Sequence, residues 1–113
     1  MADDQFPAFD QDGFQSQVLD HDGLTLVDVW AEWCIPCKQL TKILKQVDRD
    51  LPADVRIGSL DADANPDLLA QYNVRGLPTL LYFKGGALVD ASTGVDRKQV
   101  IQKTIAKHVA NPA

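Results

Sequence analysis

The amino-acid sequence predicts one α/β domain with a central mixed β-sheet and helices on both of its faces. Short apolar runs rich in β-branched residues alternate with segments of helical periodicity, and a tight turn late in the chain joins two strand-like runs. The length of 113 residues suits one domain with its own hydrophobic core. We therefore expect a single domain over residues 1–113, with loose order at residues 1–9 and 110–113.

The N-terminal region has weak patterning. Phe6 and Phe9 would suit a short edge strand, although residues 1–9 carry no clear alternation. Residues 12–19 have apolar side chains four positions apart, which predicts a short helix.

The most apolar predicted strand is followed at once by a helix. Leu24–Trp30 is a nearly continuous apolar run with several β-branched residues, which predicts a buried central strand. The helix is expected to begin near Cys34 and to end at Pro52, because apolar residues recur between them at helical spacing. Those residues are Leu40, Ile43, Leu44, Val47 and Leu51.

The second half of the chain continues the alternation. Residues 55–60 predict a second buried strand, and residues 65–72 predict a short helix with proline at its first position. Residues 79–83 and 87–92 predict two strands joined by a glycine-rich turn, which makes an antiparallel hairpin at one edge of the sheet. Asp96 is predicted to cap a last helix. That helix carries Val100, Ile101, Ile105 and Val109.

The charge and the N-terminus limit the function classes. The formal net charge is -5, whereas nucleic acids and anionic membranes select clustered lysine and arginine. No stretch approaches the roughly 18 apolar residues of a membrane span. The first five residues are acidic and polar, unlike a secretory signal. We therefore expect a cytoplasmic protein that binds neither nucleic acid nor membrane.

The two cysteines of the chain, Cys34 and Cys37, lie where the central strand gives way to a helix. The unpaired N–H groups of a helix N-terminus favour a thiolate over a thiol, and the positive charge of Lys38 adds to this field. Pro36 stiffens the turn and suits the first turn of a helix. This arrangement predicts that Cys34 attacks a disulfide and that Cys37 resolves the mixed disulfide.

Two other interpretations of the pair are weaker. A structural disulfide across two residues closes a loop too short to stabilise the fold much, and a reducing compartment would not keep it oxidised. A zinc site needs about four ligands, and the pair supplies two. His21 and His108 have no partner at ligand spacing, so we expect both to be ordinary surface residues and expect no metal.

Two further residues stand out near the pair. Asp28 interrupts the most apolar run, and a carboxyl buried there should have a raised pKa and could accept a proton from Cys37. An aspartate at the strand end facing solvent is an equal alternative. Pro78 lies at the mouth of a predicted strand, where a cis peptide bond would fit, although statistics alone favour trans.

Together these segments resemble the thioredoxin family. Residues 27–38 are similar to its active-site segment almost position by position, and residues 74–79 are similar to the segment that holds its cis-proline. The similarity extends over residues 12–109, which is nearly the whole chain. It implies the thioredoxin fold, and it implies that Cys34 is the nucleophile, Cys37 the resolving thiol and Asp28 the buried acid that handles the proton of Cys37.

The resemblance also implies a docking surface for substrate. Pro78 should be cis and lie against the cysteine pair, and the backbone at Leu77 should pair with an extended substrate strand. The apolar surface around them would consist of Trp33, Ile35, Pro36, Gly76, Leu77, Gly94 and Val95.

At three positions the chain departs from the family pattern, and one of them is Lys42, which replaces a proline that often kinks the active-site helix, so a straighter helix is expected. Ile35 replaces the usual glycine of the spacer, and this bulky, β-branched residue should shift the redox potential and the choice of partners. Ser59 stands where the family often has a lysine, so the pKa of Asp28 should be raised more strongly than in members that keep the lysine.

The function implied is a thioredoxin that reduces disulfides in client proteins. Its only cofactor-like element would be the Cys34–Cys37 disulfide, recharged by a flavin- and NADPH-dependent thioredoxin reductase, and nothing demands more than a monomer. A disulfide oxidase or isomerase is an alternative, because the spacer helps to set the potential. A binding or chaperone module that does not use its thiols is another.

Overall fold

The computed structural model describes residues 6–110 of the chain, as five strands, three α-helices and one short π-helical segment. The strands are β1 (Ala8–Phe9), β2 (Leu24–Trp30), β3 (Arg56–Asp61), β4 (Thr79–Lys84) and β5 (Ala87–Thr93). The helices are α1 (Ile35–Asp48), α2 (Pro66–Gln71) and α3 (Lys98–Ala110), and the π-helical segment is Gln15–Leu19. Residues 1–5 and 111–113, which belong to the two ends that were predicted to be loosely ordered, lie outside the described residues.

The five strands form one mixed sheet in the order β1-β3-β2-β4-β5. The neighbours β1, β3 and β2 are parallel, whereas β4 is antiparallel to both β2 and β5. The closing hairpin turns through two glycines with positive φ, +59° at Gly85 and +85° at Gly86, a conformation that glycine adopts without steric cost. The predicted mixed α/β sheet with an antiparallel edge is confirmed.

The central strand β2 is apolar because both of its faces are covered. Leu24 and Leu26 pack in the core under α1 and α3, whereas Val27 and Val29 pack in the core on the opposite face, under α2 and the π-helical segment. A strand covered on both faces needs apolar residues at consecutive positions. This is the physical reason for the uninterrupted apolar run in the sequence.

The short strand β1 is present, and the segment around it contributes one side chain to each of the two cores. Ala8 and Phe9 pair in register with Ser59 and Leu60 of β3. Phe9 belongs to the core on the α2 face, and Phe6, just before the strand, belongs to the core on the α1 face.

The two N-terminal helical segments are shorter than predicted. The segment at 12–19 is helical only over Gln15–Leu19, since the Asp10 carboxylate accepts from the Gly13 N–H at 2.7 Å and forms a turn before it. Helix α1 ends at Asp48 and not at Pro52. A proline disfavours the helical conformation in the residue before it, so the chain leaves the helix earlier.

Two predictions on the C-terminal part are wrong. Asp96 does not cap the last helix, because α3 begins at Lys98 and the Asp96 carboxylate instead accepts from the Ser92 hydroxyl at 2.6 Å. His108 is not a surface residue, since it is 8% exposed and its Nε2 lies 3.0 Å from Asp90 Oδ2. The two errors have different causes: Asp96 forms a local hydrogen bond with Ser92 four residues earlier, whereas α3 brings His108 to Asp90, which lies 18 residues away in the sequence.

No helix in the described part of the chain combines the length and the apolar character that crossing a membrane requires.

Candidate active site

Cys34 and Cys37 are joined by a disulfide at the start of α1, with their Cα atoms 5.3 Å apart. Cys34 is the N-cap of the helix in extended backbone conformation, and its Sγ accepts from the Cys37 N–H at 3.3 Å. Pro36 lies in the first turn, where a proline leaves no helical hydrogen bond unmade. The predicted placement of the pair at a helix N-terminus is confirmed.

The cysteines form a small apolar cluster with Ala31, against which Trp30 and Leu77 pack. Cys34 is 4% exposed and Cys37 is 2% exposed. Lys38, predicted to add positive charge, is exposed on the same turn of α1. The disulfide is thus covered on most sides and reached from the outer surface of the first turn.

Asp28 lies on the face of β2 that α1 covers, and it is fully buried. Of the two alternatives for this residue, the buried carboxyl is correct. Its Oδ2 lies 3.1 Å from the Thr41 hydroxyl, and the same hydroxyl lies 3.1 Å from the Cys37 carbonyl oxygen. Thr41 therefore connects the buried acid to the turn that carries Cys37.

Thr41 is a residue that the sequence reasoning missed. It occupies the buried face of α1 between Leu40 and Leu44 and is itself 5% exposed. A signal was present in the sequence, because Thr41 lies four residues after Cys37 and is a polar residue on an otherwise apolar helix face.

Ser59 lies beside Asp28 on the neighbouring strand. The two residues are register partners between β2 and β3, and both are buried on the face that α1 covers. Ser59 is thus adjacent to the buried acid, at the position where the family often has a lysine. Its hydroxyl lies 3.5 Å from the Pro7 carbonyl oxygen.

The segment before β4 forms one wall of the site. The Leu77–Pro78 peptide bond is cis, as the resemblance implied. Leu77 packs against the cysteine cluster, and the Pro78 carbonyl accepts from the Gly94 N–H at 2.8 Å. Gly94 has a φ of +105°, which side chains other than glycine rarely adopt, so this contact between the two loops depends on glycine.

Large apolar side chains are exposed beside the disulfide. Trp33 is 68% exposed, Ile35 is 74% exposed, and Val95 follows Gly94 with 36% exposure. Gly76 lies in the same wall, where its carbonyl accepts from the Thr79 hydroxyl at 2.6 Å. Exposed apolar groups clustered around a reactive pair are typical of a surface that binds another protein.

A hydrogen bond fixes the position of the Trp33 ring, although the ring is exposed. Its indole Nε1–H donates to Asp63 Oδ2 at 2.9 Å, and Asp63 lies in the turn between β3 and α2. The Asp63 N–H donates in turn to the Asp61 carboxylate at 3.0 Å. The sequence reasoning missed Asp63 because its partner lies 30 residues away.

The described part of the chain offers no group of three or more histidine, cysteine, aspartate or glutamate side chains that could hold a metal ion. His21, one of the two histidines, instead has its Nε2 3.1 Å from the Asp54 carbonyl oxygen.

Comparison with known proteins agrees with this geometry. A model of the Thioredoxin family matches residues 5–107. Thioredoxin from Chlorobaculum thiosulfatiphilum is 40% identical over 104 residues, which cover 92% of this chain and 95% of that protein. Thioredoxin 2 from Chlorobaculum tepidum is 38% identical over 109 residues, covering 96% and 99%. Thioredoxin 1 from Nostoc sp. is 35% identical over 96 residues, covering 85% and 90%.

These similarities extend over most of every chain compared, and the cysteine pair lies at the helix N-terminus where dithiol–disulfide exchange requires it. The chain therefore belongs to the thioredoxin family and is a protein-disulfide oxidoreductase.

Proposed function

We propose that this thioredoxin acts as a reductant of disulfides in client proteins, with Cys34 as the attacking thiolate and Cys37 as the resolving thiol. The observation that carries the assignment is the position of Cys34 as N-cap of α1, where its Sγ accepts from the Cys37 N–H at 3.3 Å. A thiolate at this sulfur gains from that N–H and from the helix dipole, and Lys38 adds a positive charge on the same turn.

The exchange proceeds in two steps. The Cys34 thiolate attacks one sulfur of the client disulfide, so that a Cys34–client disulfide forms and the client's other sulfur leaves as a thiolate. Cys37 then loses its proton and attacks Cys34 Sγ, which releases the second client thiolate. Two electrons have passed to the client, and the Cys34–Cys37 disulfide remains.

Asp28 is the proposed acceptor of the Cys37 proton. The carboxyl is buried behind the pair and is linked to the Cys37 turn through the Thr41 hydroxyl. Burial disfavours the carboxylate, which makes Asp28 a stronger base than an exposed aspartate. The transfer takes place directly or through one water.

The client would bind across the surface formed by the two loops and the first turn of α1. An extended client segment would pair with the backbone at Leu77, next to Pro78. Its apolar side chains would cover the exposed and half-buried groups of that surface. Those groups are Trp33, Ile35, Pro36, Gly76, Leu77, Gly94 and Val95.

A flavin-dependent thioredoxin reductase would restore the dithiol with two electrons from NADPH. We place this cycle in the cytoplasm, because a chain with two cysteines in one reactive pair suits a reducing compartment. We expect the protein to act as a monomer.

Reduction of insulin disulfides, coupled to a thioredoxin reductase and NADPH, tests the proposal. We expect wild type to consume NADPH and to precipitate the insulin B chain, and Cys34→Ser to do neither. Cys37→Ser should instead trap a mixed disulfide with insulin, because it can attack but cannot resolve. Inactivity with both the reductase and dithiothreitol would contradict the proposed reductase activity.

The double variant Cys34→Ser, Cys37→Ser separates the reductant from a binding module. A binder would keep its partner and its biological effect without either thiol. An oxidase would instead transfer its disulfide to reduced, unfolded ribonuclease A faster than it reduces insulin.

A further inference from the structure

The Thr41 hydroxyl has two acceptors within hydrogen-bond distance, Asp28 Oδ2 at 3.1 Å and the Cys37 carbonyl oxygen at 3.1 Å. A hydroxyl carries one hydrogen, so it donates to one of these oxygens at a time. Its oxygen also has lone pairs and can accept. The protonation state of Asp28 therefore decides which way the Thr41 hydroxyl points.

With Asp28 ionised, the carboxylate can only accept, and Thr41 donates to it. The Cys37 carbonyl still has the backbone N–H of Thr41, four residues on in α1, as its helical donor. With Asp28 protonated, the carboxyl O–H donates to Thr41 Oγ1, and the Thr41 hydroxyl turns to the Cys37 carbonyl. Each state keeps Asp28 and Thr41 hydrogen-bonded.

We propose that Thr41 is a positioning residue that holds the Asp28 carboxyl at the Cys37 turn in both protonation states by exchanging donor and acceptor roles. The hydrogen bond to the carboxylate is the stronger of the two arrangements, because bonds to a charged acceptor are about twice as strong as neutral ones. Thr41 thus offsets part of the burial penalty on the ionised form. Its role in catalysis rests on the proposed function, in which Asp28 takes the proton of Cys37.

The Thr41 hydroxyl is one of the groups that stabilise the buried Asp28 carboxyl. The register partners of Asp28 on the adjacent strands are Ser59 on β3 and Leu80 on β4, and neither carries a charge. On α1, the titratable groups near Thr41 are Cys37 one turn before it and the half-buried Lys45 one turn after it. Asp28 is 0% exposed and Thr41 is 5% exposed, so bulk solvent does not replace the lost hydroxyl.

The test compares Thr41→Val, which keeps the branched shape and loses the hydroxyl, with Thr41→Ser, which keeps the hydroxyl. The titration of the Asp28 carboxyl carbon is followed by NMR in the oxidised proteins. We expect Thr41→Val to raise the pKa of Asp28 by about one unit or more. Thr41→Ser should titrate close to wild type.

Two results would overturn the proposal. One is a wild-type midpoint for Asp28 in Thr41→Val, which together with a lower melting temperature of that variant would mark a purely structural role. The other is an equal shift in both variants, which would assign the effect to packing.

The pH dependence of insulin reduction gives a second readout. A profile of Thr41→Val displaced to higher pH together with the Asp28 midpoint supports the catalytic part of the proposal. A displaced midpoint with an unchanged profile supports the positioning of the carboxyl and contradicts Asp28 as the proton acceptor. The carboxyl titration requires no activity, so failure of Thr41's role is distinguishable from failure of the proposed function.

Discussion

The indole of Trp33 is anchored by Asp63, whose Oδ2 accepts from Nε1–H at 2.9 Å across 30 residues of sequence. The ring is 68% exposed and lies next to Cys34 in the chain, so this hydrogen bond fixes a large apolar side chain that would otherwise sample several rotamers. The turn between β3 and α2 thereby helps to arrange the surface around the disulfide.

Replacing Asp63 with alanine should loosen this ring. We expect an upfield shift and faster solvent exchange of the Trp33 indole N–H in NMR spectra, and a KM for insulin that rises about 2- to 5-fold with little change in kcat. Asp63→Asn keeps an acceptor oxygen and is the matched control. An unchanged indole resonance in Asp63→Ala would contradict the anchoring.

Ile35 is the most exposed large apolar residue near the cysteines, at 74%. Replacing it with glycine should raise the KM for insulin about 3- to 10-fold, because covering its side chain on docking is worth about 1 kcal/mol. The redox potential, measured against glutathione, should shift as well, since a β-branched residue restricts the backbone between the two sulfurs. Ile35→Leu keeps the apolar area without the β-branch and separates the two effects. Equal potentials and equal kinetics in wild type and Ile35→Gly would refute the prediction.

A substitution at Ser59 can place a charge next to the buried carboxyl of Asp28. Because Ser59 and Asp28 are register partners on adjacent parallel strands, a lysine at position 59 should lower the pKa of Asp28. NMR titration of the Asp28 carboxyl in wild type and Ser59→Lys measures the difference. Ser59→Met adds a comparable side chain without charge, and a shift of the same size in that variant would assign the effect to packing.

The pair of Asp90 and His108 predicts a pH-dependent contribution to stability. The hydrogen bond from His108 is the largest cause that holds the pKa of Asp90 below its ordinary value, against the opposing effect of burial. A lowered folded pKa means that the contribution is present above the unfolded pKa of about 3.9 and is lost as the pH falls through the folded pKa.

Asp90→Asn should therefore lower the free energy of unfolding at pH 7 by about 0.5–1 kcal/mol, a small value because the Asp90 side chain is 34% exposed. Urea unfolding should show the deficit shrinking between pH 5 and pH 3. Asp12→Asn, at an exposed position near the N-terminus, is the control and should show no such trend. A deficit independent of pH would contradict the assignment to the Asp90 carboxylate.

The elements that the sequence predicted best are those with local physical causes. Leu24–Trp30 was predicted residue for residue, because a strand buried on both faces requires a continuous apolar run. The glycines of the hairpin turn and the proline that opens α2 likewise act over a few residues. The cysteine pair was recognised for the same reason, since its spacing and its helix lie in one segment.

Most of the omissions concern contacts between distant segments, whereas the displaced helix ends have local causes. Thr41 became visible only when α1 was placed over β2, and His108 only when α3 was placed over the hairpin. The edge strand β1 could be recognised only from its pairing with β3, because a strand of two residues has no periodicity in the sequence. Helix ends were displaced where side chains such as those of Asp10 and Asp96 formed local hydrogen bonds outside the helix.

The position of β1 has a consequence for the order in which the molecule folds. Its first ladder contact, from the Ser59 N–H to the Pro7 carbonyl, spans 52 residues, so the loop it closes contains β2 and all of α1. Closing so long a loop is entropically costly until the segment between is already compact. We therefore expect Phe6 and Phe9 to complete both cores after β2, α1 and β3 have assembled, although both residues precede these elements in the chain.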